Sequence, residues 1–198
     1  MHRLKALYVA PLLLAMATTF PSSTSPGGFN FDMPHSYVGF SVKHMVIATV
    51  KGQFKDFTGN VIYDPDDLAS SSVEASIVVS SVDTGNEARD NHLRSGDFFD
   101  VENNPNITFK STRIEARDDH FVAIGDLTIR GVMKEVEMEF ELLGPVDGMQ
   151  GEQRYGANGW LEIDRRDFGV NWSKTLDNGG MVVSSMVKIE INMELVSQ

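Results

Sequence analysis

The chain has no cysteine. Disulfide scaffolds and thiolate metal centres are therefore excluded, and the fold must be held by its core alone. Positive charge is scarce, with 17 Lys and Arg against 28 Asp and Glu and a formal net charge of −11. So acidic a surface repels phosphate backbones and anionic membrane faces, which excludes nucleic acid as a partner and argues against electrostatic docking on membranes. Beyond the N-terminal stretch, nothing approaches the ~18 uninterrupted apolar residues of a spanning helix, so no stable membrane insertion is expected. Catalytic signatures are missing too. There is no G-x-S-x-G elbow and no H-E-x-x-H pair, and His35, His44, His92 and His120 are scattered without metal-ligand spacing. The expectation is a protein that is not an enzyme, with no metal and no catalytic cofactor.

The first 17 residues, MHRLKALYVAPLLLAMA, carry a basic start (Arg3, Lys5), an apolar run from Ala6 to Ala17 and an A-x-A site at Ala15–Ala17. This is the pattern of a secretory signal peptide and implies export. Its removal takes two basic residues and no acidic one, moving the formal charge from −11 to −13. Residues 18–28, TTFPSSTSPGG, are a Ser/Thr/Pro/Gly linker. The remainder, 29–198, shows no repeat and no second compositional block, and its length suits one domain.

Within that domain, alternation with a period of two recurs almost to the end. SYVGFSVKHM places Val38, Phe40 and Val42 on one face, and His44 takes the next slot of that apolar face. In VKGQFKDFTGNVIYD the inward parity flips between Phe54 and Phe57, as a β-bulge would require. SVEASIVVSSVD alternates through Val73, Ala75, Ile77 and Val79, and VEMEFELLG sets Val136, Met138, Phe140 and Leu142 against four outward glutamates. The last segment aligns Val183, Val187, Ile189, Ile191, Met193 and Leu195. Eight long antiparallel strands result. Closure into a barrel removes their exposed edges, and a two-sheet sandwich is the alternative. Strand length and the inward glycines Gly52, Gly59 and Gly125 favour the barrel.

Residues 83–105 lack alternation and are rich in helix formers, which predicts a short helical insertion between strands 3 and 4. Asn86 or Thr84 would cap it, and Asp90 and Arg94 are spaced as an i,i+4 pair. Phe98 and Phe99 follow it, placed to roof one end of the β-structure as a lid or as a hydrophobic staple.

Several blocks then occur in a telling order: RDNHLRSGDFFDVENNPNITFKST, GDLTIRGVMKEVEM and DRRDFGVNW, preceded by HSYVGFSVKHM and GQFKDFTGNVIYD. Together they resemble the YceI-like proteins, bacterial periplasmic proteins that bind polyisoprenoid lipids, over essentially residues 29–195. The chain departs from the family pattern at Asn104, Met133 and Arg166. The resemblance implies an all-β, eight-stranded antiparallel, lipocalin-like barrel whose apolar interior holds a long isoprenoid chain, either a polyprenyl lipid or the tail of an isoprenoid quinone. It also implies a periplasmic carrier. An enzyme acting on such a lipid, or a secreted stress or interaction protein with a merely structural cavity, are the alternatives, and a homodimer is left open.

On that reading the lipid-contacting wall comprises Phe40, Val42, Phe54, Val61, Ile77, Val79, Phe109, Met138, Phe140, Ile189 and Ile191, with Phe98 and Phe99 at the lid. Phe168 and Trp172 of DRRDFGVNW join them. His44 would offer a polar contact to the ligand if the barrel is hollow, and would be a hydrogen-bonded core residue if it is packed. Arg165 is the candidate for a phosphate or quinone head group, because a guanidinium binds such oxygens bidentately, although an Arg beside an Asp at a strand end commonly forms a structural ion pair. Burying ~500 Å² of apolar surface would supply roughly 12 kcal/mol before association costs, so affinity needs little polar chemistry.

Overall fold

A computed structural model describes residues 27–175 and 181–198. The expected leader and most of the expected linker lie outside these residues. Eleven strands are assigned among the described residues: β1 (Gly27–Phe31), β2 (Tyr37–His44), β3 (Ala48–Phe54), β4 (Phe57–Tyr63), β5 (Ser72–Val78), β6 (Val82–Asp83), β7 (Asn106–Arg117), β8 (His120–Ile129), β9 (Val132–Asp147), β10 (Gln153–Asp164) and β11 (Val183–Ser197). One α-helix, α1 (Glu87–Arg94), lies between β6 and β7.

Six of these strands are halves of three. β1 and β2 run end to end along the same edge of β11, pairing Phe31 with Leu195 and Tyr37 with Asn192 across a short turn at Met33–His35. β3 and β4 run likewise along β2 and β1, and β6 and β5 along β3 and β4. Eight continuous antiparallel strands result, and the ring closes where β1 pairs with both β4 and β11. The barrel, and not the sandwich, is the architecture. β1 begins at Gly27, so the last two residues of the expected linker belong to the sheet, opposite Tyr63 and Ile62. Glycine has no side chain with which to display alternation, which hid this strand end.

The parity flip read from the sequence is real. The ladder breaks at Lys55–Asp56, and Phe54 and Phe57 both point inward and are buried on either side of it. Ser81 fills the break: its hydroxyl accepts from the Asp56 N–H at 3.1 Å and donates to the Val78 carbonyl at 2.7 Å. The same level interrupts β5, so Val79 sits in a turn (Val79–Ser81), with its N–H on the Pro105 carbonyl.

Beyond Val78, β7 no longer follows its neighbour, and β6 ends the strand order. An open edge of this kind invites pairing with other chains unless it is covered. The α1 segment covers it. Asn86 caps the helix through its side-chain oxygen, which accepts from the Arg89 N–H at 3.0 Å. Arg94 donates to the carbonyls of Ser80 (2.9 Å) and Val82 (2.8 Å), while Asp90 accepts from the Thr84 N–H at 2.9 Å. The expected Asp90–Arg94 pair is therefore replaced by two separate anchors, each tying the helix to the strand end.

One outward face is also apolar. Val122 and Ile124 of β8 point away from the interior yet are fully buried. The charged residues of β7 and β9 cover them, linked through Arg113–Glu115 (2.9 Å) and Arg117–Glu137 (2.7 Å), with stems that pack over apolar surface. Beside this patch, Gly125 faces the register shift at Ser111–Arg113. A Cβ there would stand 2.3 Å from the Lys110 carbonyl oxygen, so only glycine permits the two backbones to approach.

Candidate functional site

The inward faces of the eight strands do not meet. They leave an elongated space of about 260 Å³ lined almost wholly by carbon. Inward residues such as Ile77, Met138, Phe140 and Ile191 are only half-buried and line this cavity. Along β10, which is tilted to the barrel axis, the lining runs from Tyr155 to Arg165 just past the strand end. An eight-stranded barrel is just wide enough to leave such a space for one ligand.

Fourteen of the residues selected from the sequence line this cavity: Phe40, Val42, Phe54, Val61, Ile77, Phe98, Phe99, Phe109, Met138, Phe140, Arg165, Phe168, Ile189 and Ile191. Three are placed elsewhere. His44 keeps the inward parity but ends β2, paired with Val183 and Ala48, and the lining stops at Val42 and Val183. Val79 packs in the core at 1% exposure, because the strand breaks just before it. Trp172 lies behind the lid and not in the wall. Its ring centroid is 5.0 Å from that of His92 and 5.3 Å from that of Phe98. His92 is held in turn by Asp97, Nε2 to Oδ2 at 2.9 Å. Phe98 thus faces the cavity with its lid-side surface backed by two further rings.

Phe99 reaches the wall through an aromatic chain, 5.9 Å from Phe54, which is itself 5.8 Å from Phe40. The 165–168 turn closes the same end from the other side, bringing Phe168 to 2% exposure. Arg130 bolts these two pieces together, donating to the carbonyls of Gly169 (2.5 Å) and Gly96 (2.8 Å).

Arg165 and Arg166 divide the roles that the sequence left open. Arg166 is exposed and pairs with Asp164, whose carboxyl its guanidinium holds down at about 2. Arg165 turns inward, is 6% exposed, and has no carboxylate within ion-pair distance among the described residues. It donates to three backbone carbonyls: Val170 at 2.6 Å, Ser184 at 3.0 Å and Val183 at 3.4 Å. Burial pushes its pKa down from the usual arginine value. Three of its five N–H groups bond carbonyls of the described residues, and the side chain is the one charged group among the described residues that line the cavity.

The opposite end carries the lining residues that sequence reading missed. Phe29, Tyr63 and Tyr155 meet edge to face, with centroids 5.3 Å apart for Phe29–Tyr155 and 5.5 Å for the tyrosine pair. Burial raises the Tyr63 hydroxyl above its usual range. Alternation already placed Tyr63 inward, so its parity was the available signal. Next to this end, His35, Asp32 and Glu194 gather within 4.8 Å. Arg154 sits among them, bonded to Asp32 at 2.8 Å, to Glu152 at 2.8 Å and to Glu194, so the group is an ion cluster that pins the β1–β2 turn to β10 and β11.

A closed eight-stranded antiparallel barrel with a hollow apolar axis, roofed at one end and holding one buried arginine in its lining, is a lipocalin-like β-barrel. The YceI-like domain model matches residues 29–195, and the chain belongs to that family. It is 40% identical over 167 residues to a UPF0312 protein of Staphylococcus epidermidis, covering 84% of this chain and 95% of that one. Among solved structures, BcnA of Burkholderia cenocepacia superposes with a TM-score of 0.73 at 26% identity, covering 83% of this chain and 98% of that one. A polyisoprenoid binding domain from Saccharophagus degradans implicated in plant cell wall breakdown shares the fold, with a TM-score of 0.63 at 13% identity over 86% of this chain and 98% of that one.

Proposed function

We propose that this protein is a periplasmic carrier that holds one long isoprenoid lipid, a polyprenyl chain or an isoprenoid quinone, inside its barrel. The observation that carries the reading is the hollow apolar axis lined from Arg165 to Tyr155. A space that long and that poor in polar groups suits an extended hydrocarbon and offers little to a compact polar metabolite. The family and the polyisoprenoid binding domain that shares its fold point to the same ligand class. Binding is hydrophobic burial, and Arg165, the one charged residue in the described lining, gives head-group oxygens a place at that end. The cavity lining among the described residues is apolar apart from Arg165 and the tyrosines, which suits carriage of an unaltered lipid.

A native mass spectrum of the protein purified from its producing cells tests this. One bound lipid of defined mass, released unchanged on denaturation, is the expected result. A barrel that emerges empty contradicts carriage, and a lipid altered on incubation with the protein would make the protein an enzyme.

A further inference from the structure

A carrier must reach its lipid, and one surface of this barrel breaks the rules that the rest obeys. The β2–β3 hairpin turns at Met45-Val46-Ile47, and these side chains are 42%, 71% and 86% exposed. Met45 and Val46 both have positive φ, 50° and 68°. A β-branched valine at positive φ is a costly choice in such a turn. Stability alone would not select these residues. The backbone is nevertheless fixed, because the Met45 N–H donates to the Val182 carbonyl at 2.8 Å. Met181 adds a further exposed apolar side chain beside it.

Charge changes at the same place. Residues 33–55 contain three lysines and no carboxylate, in a chain with 28 acidic residues. Lys43, at the base of the tip, has its ammonium on the Thr49 hydroxyl and on no acid among the described residues. This is the one long stretch of the strands that would not be repelled by phosphate head groups. The tip is also continuous with the cavity. Val42 and Val183 line the interior, and His44, paired with Val183, is the only register step between them and Met45. The ladder between β2 and β11 skips at this point, between Val183 and Val187.

We propose that the Met45-Val46-Ile47 tip is the point at which the barrel docks on a lipid bilayer to load and unload its cargo. The proposal rests on the carrier reading and names the surface with which the carrier exchanges. Three apolar side chains enter the head-group boundary, Lys43 meets phosphate oxygens, and the lid end of the cavity is brought against the membrane. No helix among the described residues is long and apolar enough to cross a membrane, so this contact lies in the interface and does not span it.

The test uses the protein as purified from its producing cells and the double variant Val46→Gly, Ile47→Asp prepared in the same way, so both carry the same N-terminus. Glycine suits the positive φ at position 46, so the variant is expected to melt at or above the wild-type temperature. Flotation with mixed phosphatidylcholine and phosphatidylglycerol vesicles should fall about tenfold or more in the variant, as should the rate of polyprenol transfer out of such vesicles. Polyprenol loaded directly from solvent should bind both proteins equally. Wild-type protein that stays off the vesicles, or a variant that takes up vesicle lipid as fast, overturns the docking site. If neither protein holds polyprenol after solvent loading, the carrier reading fails, and the flotation result still decides the docking site on its own.

Discussion

Replacing Ala157 with phenylalanine is expected to weaken isoprenoid binding on the order of 100-fold while leaving the empty barrel at least as stable as the parent. Ala157 points inward on β10, opposite Leu142 and Met193, and lines the cavity. It is only half-buried, so the side chain faces space and not other atoms. A phenyl ring there would occupy about the length of one isoprene unit. At ~0.8 kcal/mol per buried CH₂, displacing five carbons forfeits up to about 4 kcal/mol of contact, and partial repacking of the chain leaves roughly the 2.7 kcal/mol that corresponds to 100-fold. The sign of the stability change is as informative as the affinity. In a filled core the added ring would cost about 1–3 kcal/mol and lower the melting temperature. In a hollow barrel it buries apolar surface that was open. Thermal melting of lipid-free protein, with polyprenol titration of the same samples, separates the two cases.

The second large effect falls on stability. Arg165→Met is expected to destabilise the protein by about 3 kcal/mol, read as a shift of the urea midpoint. The guanidinium gathers the carbonyls of Val170, Val183 and Ser184, which belong to the closing turn and to the irregular start of β11. Methionine fills much of the same volume and leaves those oxygens without a donor. Hydrogen bonds to a charged donor contribute about 1.5–3 kcal/mol each, and relief from burying the charge offsets part of their sum. Arg165→Lys should recover less than half, because an ammonium is a point charge and cannot serve three carbonyls spread around a planar fork. If the methionine variant unfolds at the wild-type midpoint, the arginine holds nothing together and serves the ligand alone.

Much of this molecule was legible before its coordinates. Strand positions follow from alternation because most strands have one face on the cavity and one on water, β8 with its buried outward Val122 and Ile124 being an exception. The parity flip at Lys55–Asp56 showed itself for the same reason, although a break between two strands, and not the expected β-bulge, lets Phe54 and Phe57 both face inward. What parity cannot supply is depth along the axis. His44 has the inward parity and pairs with Val183, which lines the cavity, yet at the end of its strand it does not join the lining itself. Val79 fails differently: its strand turns just before it, and no pattern of apolar residues announces that turn. The split between Arg165 and Arg166 was likewise out of reach. Both flank the same acidic residues in DRRDFGVNW, and only the turn at 165–168 decides which guanidinium faces inward and which pairs with Asp164.

The lid was legible as a need before it was legible as a structure. Two adjacent phenylalanines in a polar connection required an apolar destination, and the barrel end provides it. Trp172 was assigned to the wall because it follows Phe168 in a block rich in aromatics. Its actual place, edge-on to His92 and tilted against Phe98, backs the roof of the barrel end from outside the wall.

The most direct measurement is the electron density inside the barrel in crystals of protein taken from its producing cells without lipid extraction. The account predicts a continuous, unbranched tube running from the Arg165 guanidinium past Ala157 to the Tyr63–Tyr155 pair, with its bulkier end at the arginine. Side chains that meet across the axis and leave no such tube would contradict it.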